Sequence, residues 1–224
     1  WDRGFSGDLR DMTRTKLGLV LAGVLLLGGC VAHQQPMAEP DVVARAAYVP
    51  PGPSTVTLLT MINNTSGAGG HSALLIDGQQ RVLFDPAGSW YHPNVPERAD
   101  VLFGMSPQFM EFYMDYHARE TFHVVVQEIE VSPAVAATLI ERVQQHGAAN
   151  RAECAASVSS VLRGVPGFET VSQSWFPRNV MMSFGRLPGV QTSQVFDDDS
   201  DDNLELLQAQ GRQAALREEI ADAN

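Results

Sequence analysis

Cys154, His71 and Asp85 are the residues of this 224-residue chain whose types and settings could do covalent chemistry. Cys154 is followed by Ala155-Ala156-Ser157-Val158, a run that reads as a helix beginning at the thiol. The free N–H groups and dipole of a helix start favour a thiolate. His71 follows the small residues Gly67-Ala68-Gly69-Gly70 and opens a strand, Ser72 to Ile76. Asp85 ends a second strand, Arg81 to Asp85, and Asp77-Gly78 between the two is a good hairpin turn. A hairpin brings the first residue of one strand close to the last of the other. His71 and Asp85 are therefore expected as neighbours, with the carboxylate orienting the imidazole. A thiolate, a histidine base and a polar orienter make a nucleophilic site for acyl chemistry. Each residue also has a plainer reading: Cys154 as a small buried residue, Asp85 before Pro86 as a turn former.

The other cysteine, Cys30, has a different setting. Read from Met12, Arg14 and Lys16 give a positive region, and Leu17 to Leu27 an apolar run of signal-peptide length. That run is shorter than the roughly 20 apolar residues of a comfortable membrane span. Leu27-Gly28-Gly29-Cys30 resembles the bacterial lipobox, in which the cysteine takes a diacylglycerol and becomes the mature N-terminus. Residues 1–11 fit no part of the pattern. If Cys30 is lipidated, Cys154 has no disulfide partner in the chain and stays a free thiol. The expected location is the bacterial cell envelope. Val31, instead of Asp, after the cysteine favours the outer membrane, facing the periplasm. The lipid at Cys30 is then the membrane contact.

The full chain carries a formal charge of −11. Before Cys30, four basic residues meet three acidic ones, so the chain from Cys30 onward carries −12 and has no lysine. That composition excludes phosphate neutralisation, and with it nucleic-acid binding. It also excludes a polybasic membrane contact.

Four segments follow: 1–29, a signal peptide with its upstream extension; 30–54, a lipidated tether rich in Pro and Ala; 55–195, one compact domain; and 196–224, an acidic tail. The tail opens with Asp197-Asp198-Asp199-Ser200-Asp201-Asp202, too repulsive to pack alone. Leu207, Ala214 and Ile220 then give weak helical spacing. The tail reads as a solvated, partly disordered end, with docking of a protein partner as the alternative. Within the domain, Thr55–Ile62 alternates as a strand and Thr121–Val131 is a long strand. Ser106-Pro107 and Ser132-Pro133 are helix starts. Val135, Ala136, Leu139, Ile140 and Val143 mark the buried face of the second helix, which Gly147 stops. A third helix runs from Cys154 to Leu162. Strands precede helices, so an α+β domain is expected, with a small antiparallel sheet packed against helices.

The order His, polar residue, Cys resembles the circularly permuted branch of the NlpC/P60-like, papain-fold enzymes, which includes lecithin:retinol acyltransferase-like proteins. The matching pieces are Gly70-His71-Ser72-Ala73-Leu74-Leu75-Ile76, Arg81-Val82-Leu83-Phe84-Asp85 and Glu153-Cys154-Ala155-Ala156-Ser157-Val158. The resemblance spans roughly Thr55 to Phe184. It implies a permuted papain-like fold, Cys154 as nucleophile, His71 as base and Asp85 as the third polar residue. It also implies an envelope cysteine hydrolase or acyl-transfer enzyme acting on a peptidoglycan amide or an acyl ester. The family usually has His, Asn or Gln at the third position, and Asn is common where this chain has Glu153. A carboxylate pointing inward there would raise the thiol pKa.

Two other functions fit the same residues: an inactive binding module on that fold, or a scaffold lipoprotein working through its tail. No cofactor is expected. The His and Cys spacing gives no metal signature, and Gly67–Gly70 lacks the Lys and helix of a phosphate loop. His92 and His117 read as surface residues and His123 as part of a strand. Trp90, Tyr91 and Trp175 read as cleft lining or as packing.

Overall fold

The computed structural model describes residues 37–222, without the side chains of 214 and 217–222. The signal peptide, Cys30 and the start of the expected tether lie outside the described residues. Within them, six helices and one seven-stranded antiparallel sheet form an α+β fold. The helices are α1 (Pro40–Ala46), α2 (Pro107–His117), α3 (Pro133–His146), α4 (Cys154–Leu162), α5 (Pro177–Phe184) and α6 (Asn203–Asp222). The strands are β1 (Thr55–Asn63), β2 (Gly69–Asp77), β3 (Arg81–Phe84), β4 (Glu97–Arg98), β5 (Val101–Phe103), β6 (Phe122–Glu130) and β7 (Gln191–Val195). Their order across the sheet is β4-β5-β3-β2-β1-β6-β7, which puts β2, the strand of His71, in the middle.

The sheet is larger than the small one expected, and its central strands are covered on both faces. Val56, Leu58, Leu74, Ile76, Val82 and Phe84 share one core with α3, α4 and α5. Leu59, Met61, Ala73, Leu75, Leu83 and Val124 share another with α2. This explains why Thr55–Ile62, whose alternation suggests one wet face, is buried from Val56 to Ile62. Thr57 and Thr60 are buried with the rest, so polarity at alternate positions does not mark a solvent face here.

Local chemistry sets the helix starts. The Ser106 and Ser132 side chains accept hydrogen bonds from the amides of Phe109 and Val135, and proline occupies the first turn of both helices. In α3 the buried residues are Ala136, Leu139, Ile140 and Val143, at helical spacing, and Gly147 ends the helix at φ 80°.

The flanking segments depart from the expected tether and tail. From Ala38 the chain is paired to the domain: the Ala38 amide donates to Glu97 O (2.8 Å) and the Arg81 amide to Tyr48 O (2.8 Å). The Arg81 guanidinium also lies over the Tyr48 ring, 5.3 Å from its centroid. At the other end, the acidic run docks on the end of α2. Arg119, only 5% exposed, donates to Asp199 Oδ2 (3.1 Å) and Asn203 Oδ1 (3.0 Å). The amides of Glu120 and Thr121 donate to Asp199 O (3.0 Å) and Asp201 Oδ1 (3.2 Å). Further along, Gln210 is 3% exposed and donates to Phe112 O at 3.2 Å. Repulsion within the run is thus offset by one buried cation and two backbone donors.

Replacing Arg119 with Ala is expected to cost about 1–3 kcal/mol in urea unfolding, because charged hydrogen bonds are lost while Asp199 stays hydrated. The same variant should be cut faster by protease within residues 197–222; unchanged cleavage would contradict the docking role.

Candidate active site

His71 is aimed by an irregularity in β2. Met61 pairs with His71, but Ile62 pairs with Gly69, so Gly70 is an extra residue in the ladder. Such a bulge bends a strand and redirects its side chains. Only glycine fits at the bulge, since a Cβ on Gly70 would lie 2.7 Å from the Phe122 ring. Leu75 pairs with Leu83 in the hairpin, so Ala73 and Asp85 lie level beyond them and His71 is one step further on the same face. The small Ala73 leaves the diagonal open, and long side chains reach across such a diagonal. His71 Nε2 meets Asp85 Oδ1 at 2.6 Å.

Asp85 is 4% exposed. Its amide donates to Asp100 O (2.8 Å), extending the β3–β5 pairing by one step. Its own carbonyl accepts from the Gly88 amide (2.9 Å), so the residue also makes the turn its position before Pro86 suggests. Tyr113 of α2 is fully buried and donates its hydroxyl to Asp85 Oδ1 at 2.8 Å. One helical turn later, His117 Nδ1 lies 2.8 Å from Tyr113 O. The His71 and His117 rings are parallel within 8°, with centroids 6.0 Å apart. His117 therefore belongs to the site, contrary to the surface reading. His92 is also buried, at 4% exposure.

Cys154 is a free cysteine, 6% exposed, at the first residue of α4. That helix packs on β2. His71 and the backbone of Ser72 and Ala155 lie close enough to the thiol to lower its pKa. With Nε2 committed to Asp85, Nδ1 is the ring nitrogen left for the sulfur. Glu153 does not oppose this arrangement, because its Oε2 accepts from Asn150 N (3.1 Å) and Nδ2 (3.0 Å).

The electrostatics follow from these contacts. Burial disfavours a charged His71, but the charge and hydrogen bond of Asp85, followed by the contribution of Cys154, raise it from 6.5 to about 10. Burial pushes the Asp85 carboxyl up, yet His71 first, then His117 and Tyr113, hold it below its ordinary value. The Cys154 thiol is likewise pushed up by burial and brought down further by His71 and the two amides. His117 falls from 6.5 to about 4, through burial first and then the positive His71, against the pull of Asp85. Two imidazoles side by side are thus held in different states, one charged and one neutral.

His71 and His117 line a cleft of about 470 Å³, with Gly70, Gly88, Tyr116 and Phe122 among its other walls and Arg119, Asp201 and Asn203 at the tail side. Trp90, Tyr91 and Trp175 do not line it. Trp90 is core, packed edge-on to Tyr113 at 5.6 Å, while Trp175 is 61% exposed. The candidate ligand atoms of His71, Asp85 and His117 lie within 4.8 Å of one another, a donor set that could also hold a divalent cation.

No protein-family model, no curated protein and no solved structure matches this chain.

Sequence reading named Cys154, His71 and Asp85, and the structure brings all three together. It missed Tyr113, His117 and Gly88. The first two were visible as an i, i+4 pair on one helix face, but nothing local says which buried group that face meets. A Cβ on Gly88 would sit 1.9 Å from Asp85 Oδ2.

Gly88→Ala is therefore expected to displace the carboxylate and slow alkylation of Cys154 at neutral pH about tenfold or more, the scale of a lost charged hydrogen bond. Tyr113→Phe removes one donor to a buried charge and should cost about 1.5–3 kcal/mol of stability by urea unfolding. A loss below about 0.5 kcal/mol would mean that water replaces the hydroxyl.

Proposed function

We propose that this chain is a cysteine hydrolase or acyl-transfer enzyme of the cell envelope, held by a lipid at Cys30, on a permuted NlpC/P60-like, papain-type fold. The observation that carries the reading is the series Cys154, His71, Asp85, in which a part-exposed imidazole stands between two buried groups, the thiol is brought down and the imidazole is driven up to about 10. A thiolate–imidazolium pair at a helix start is the resting state such chemistry needs. The strand–helix placement, with His71 on the central strand and Cys154 opening a helix packed on it, supports the papain-type reading.

In this mechanism the Cys154 sulfur attacks the substrate carbonyl carbon, and the carbonyl electron pair moves onto oxygen. Amides at the start of α4 stabilise that oxyanion. The tetrahedral species collapses, the bond from carbon to the leaving nitrogen or oxygen breaks, and His71 gives the leaving atom its proton. A thioester remains. Water, or an acceptor hydroxyl or amine, then attacks it as His71 takes the incoming proton, and the thiolate is released. Asp85, with Tyr113 behind it, holds the imidazole and stabilises its charge. The substrate is a peptide amide of the cell wall or an acyl ester.

Alkylation by iodoacetamide against pH tests the resting state. A lowered thiol pKa means that the thiolate persists at neutral pH, so the rate should reach its plateau below the ordinary thiol value of about 8.5. His71→Ala should move the midpoint upward, because burial is then opposed only by the two amides. A wild-type midpoint at or above the ordinary value would contradict the reading. It would favour a binding module without catalysis.

A further inference from the structure

His117 is not one of the three groups that the mechanism uses, yet it shares the cleft with His71. Its Nδ1 lies 2.8 Å from the Tyr113 carbonyl. A carbonyl oxygen can only accept, so Nδ1 carries the ring hydrogen and Nε2 is a bare lone pair. Among the described residues, Nε2 has no hydrogen-bond partner. In that tautomer His117 is an acceptor aimed from the cleft wall.

The other strong polar groups in the cleft are already engaged. Arg119 is held by Asp199 and Asn203, and the Tyr116 hydroxyl is 3.0 Å from Ser89 Oγ. Asp201 accepts from the Thr121 amide at 3.2 Å. What this wall still lacks is a donor. An amide substrate brings an N–H on the atom next to its carbonyl, and an ester brings none.

We propose that His117 is a specificity-determining residue whose Nε2 accepts a hydrogen bond from a substrate amide N–H, so that the cleft selects peptide-like amides over the matching esters. The inference rests on the cysteine-enzyme reading and narrows its substrate class. An acceptor positioned in the wall of a cleft is left unpaired by an analogue without the hydrogen, which is the basis of discrimination.

The test compares kcat/KM for matched N-acyl-alanine 7-amido-4-methylcoumarin amides and N-acyl-alanine 4-methylumbelliferyl esters. The wild type, His117→Leu and His117→Gln are assayed. The ratio of amide to ester kcat/KM should fall about tenfold in His117→Leu, the effect of one hydrogen bond. It should recover in His117→Gln, whose side-chain oxygen can accept. An unchanged ratio overturns the inference, as does a loss that glutamine does not restore. A second measurement does not need turnover. In Cys154→Ser protein with ¹⁵N-labelled histidine, N-methylpropanamide should shift the His117 Nε2 resonance and methyl propanoate, which carries no N–H, should not. If neither or both shift it, the inference fails even where the thiol proves reactive. If the wild type turns over neither probe and its thiol alkylates like free cysteine, the enzyme reading fails instead, and the resonance still decides the role of His117. Submicromolar Zn²⁺ binding by the wild type that His117→Leu abolishes would also overturn it, assigning the lone pair to a metal ion.

Discussion

The Asp85 carboxylate, buried to 4% exposure, is the group that the surrounding elements must satisfy. An ionised carboxylate out of water is costly unless charge and hydrogen bonds replace its hydration. Here the replacements come from separate parts of the fold: His71 from the central strand and Tyr113 from α2. Meeting both conditions fixes the hairpin register, the seating of α2 and the side of the sheet on which His71 emerges. The same carboxylate charges His71, and a charged His71 is what favours a thiolate at Cys154.

The remaining devices keep that cluster dense. Gly70 makes the bulge that aims His71 and admits the Phe122 ring, and Gly88 leaves room for the second carboxylate oxygen. Ala73 opens the diagonal between the two strands. A larger side chain at any of these positions would crowd the imidazole, its partner or both. Coverage of the central strands on both faces excludes water from behind the site, and low water content strengthens each electrostatic contact within it. The docked C-terminal segment adds the tail-side wall through Asp201 and Asn203.

How much of this was legible in the sequence depended on how local each determinant is. The hairpin, the two serine-capped helices and the helix opening at Cys154 follow from nearest neighbours, and their expected positions agree with the structure to within a few residues. The tail did not, because its docking depends on Arg119 and the amides of Glu120 and Thr121, about 80 residues away. The segment from Ala38 to Ser54 is similar, since Tyr48 gains its partner in Arg81 only once the hairpin exists. His117 shows the limit most clearly. A histidine at a helix end commonly faces water, and only the packing of α2 over the hairpin turns it toward His71.

The protonation state of His71 is the most direct test of the account. Its ring resonances can be followed by NMR from neutral to alkaline pH in the wild type and in Asp85→Asn. The account expects an imidazolium at neutral pH that titrates well above the ordinary histidine value of about 6.5, toward 10, and an asparagine variant that titrates far lower. A wild-type His71 that is already neutral at pH 7.5, with the same midpoint in both proteins, would contradict it.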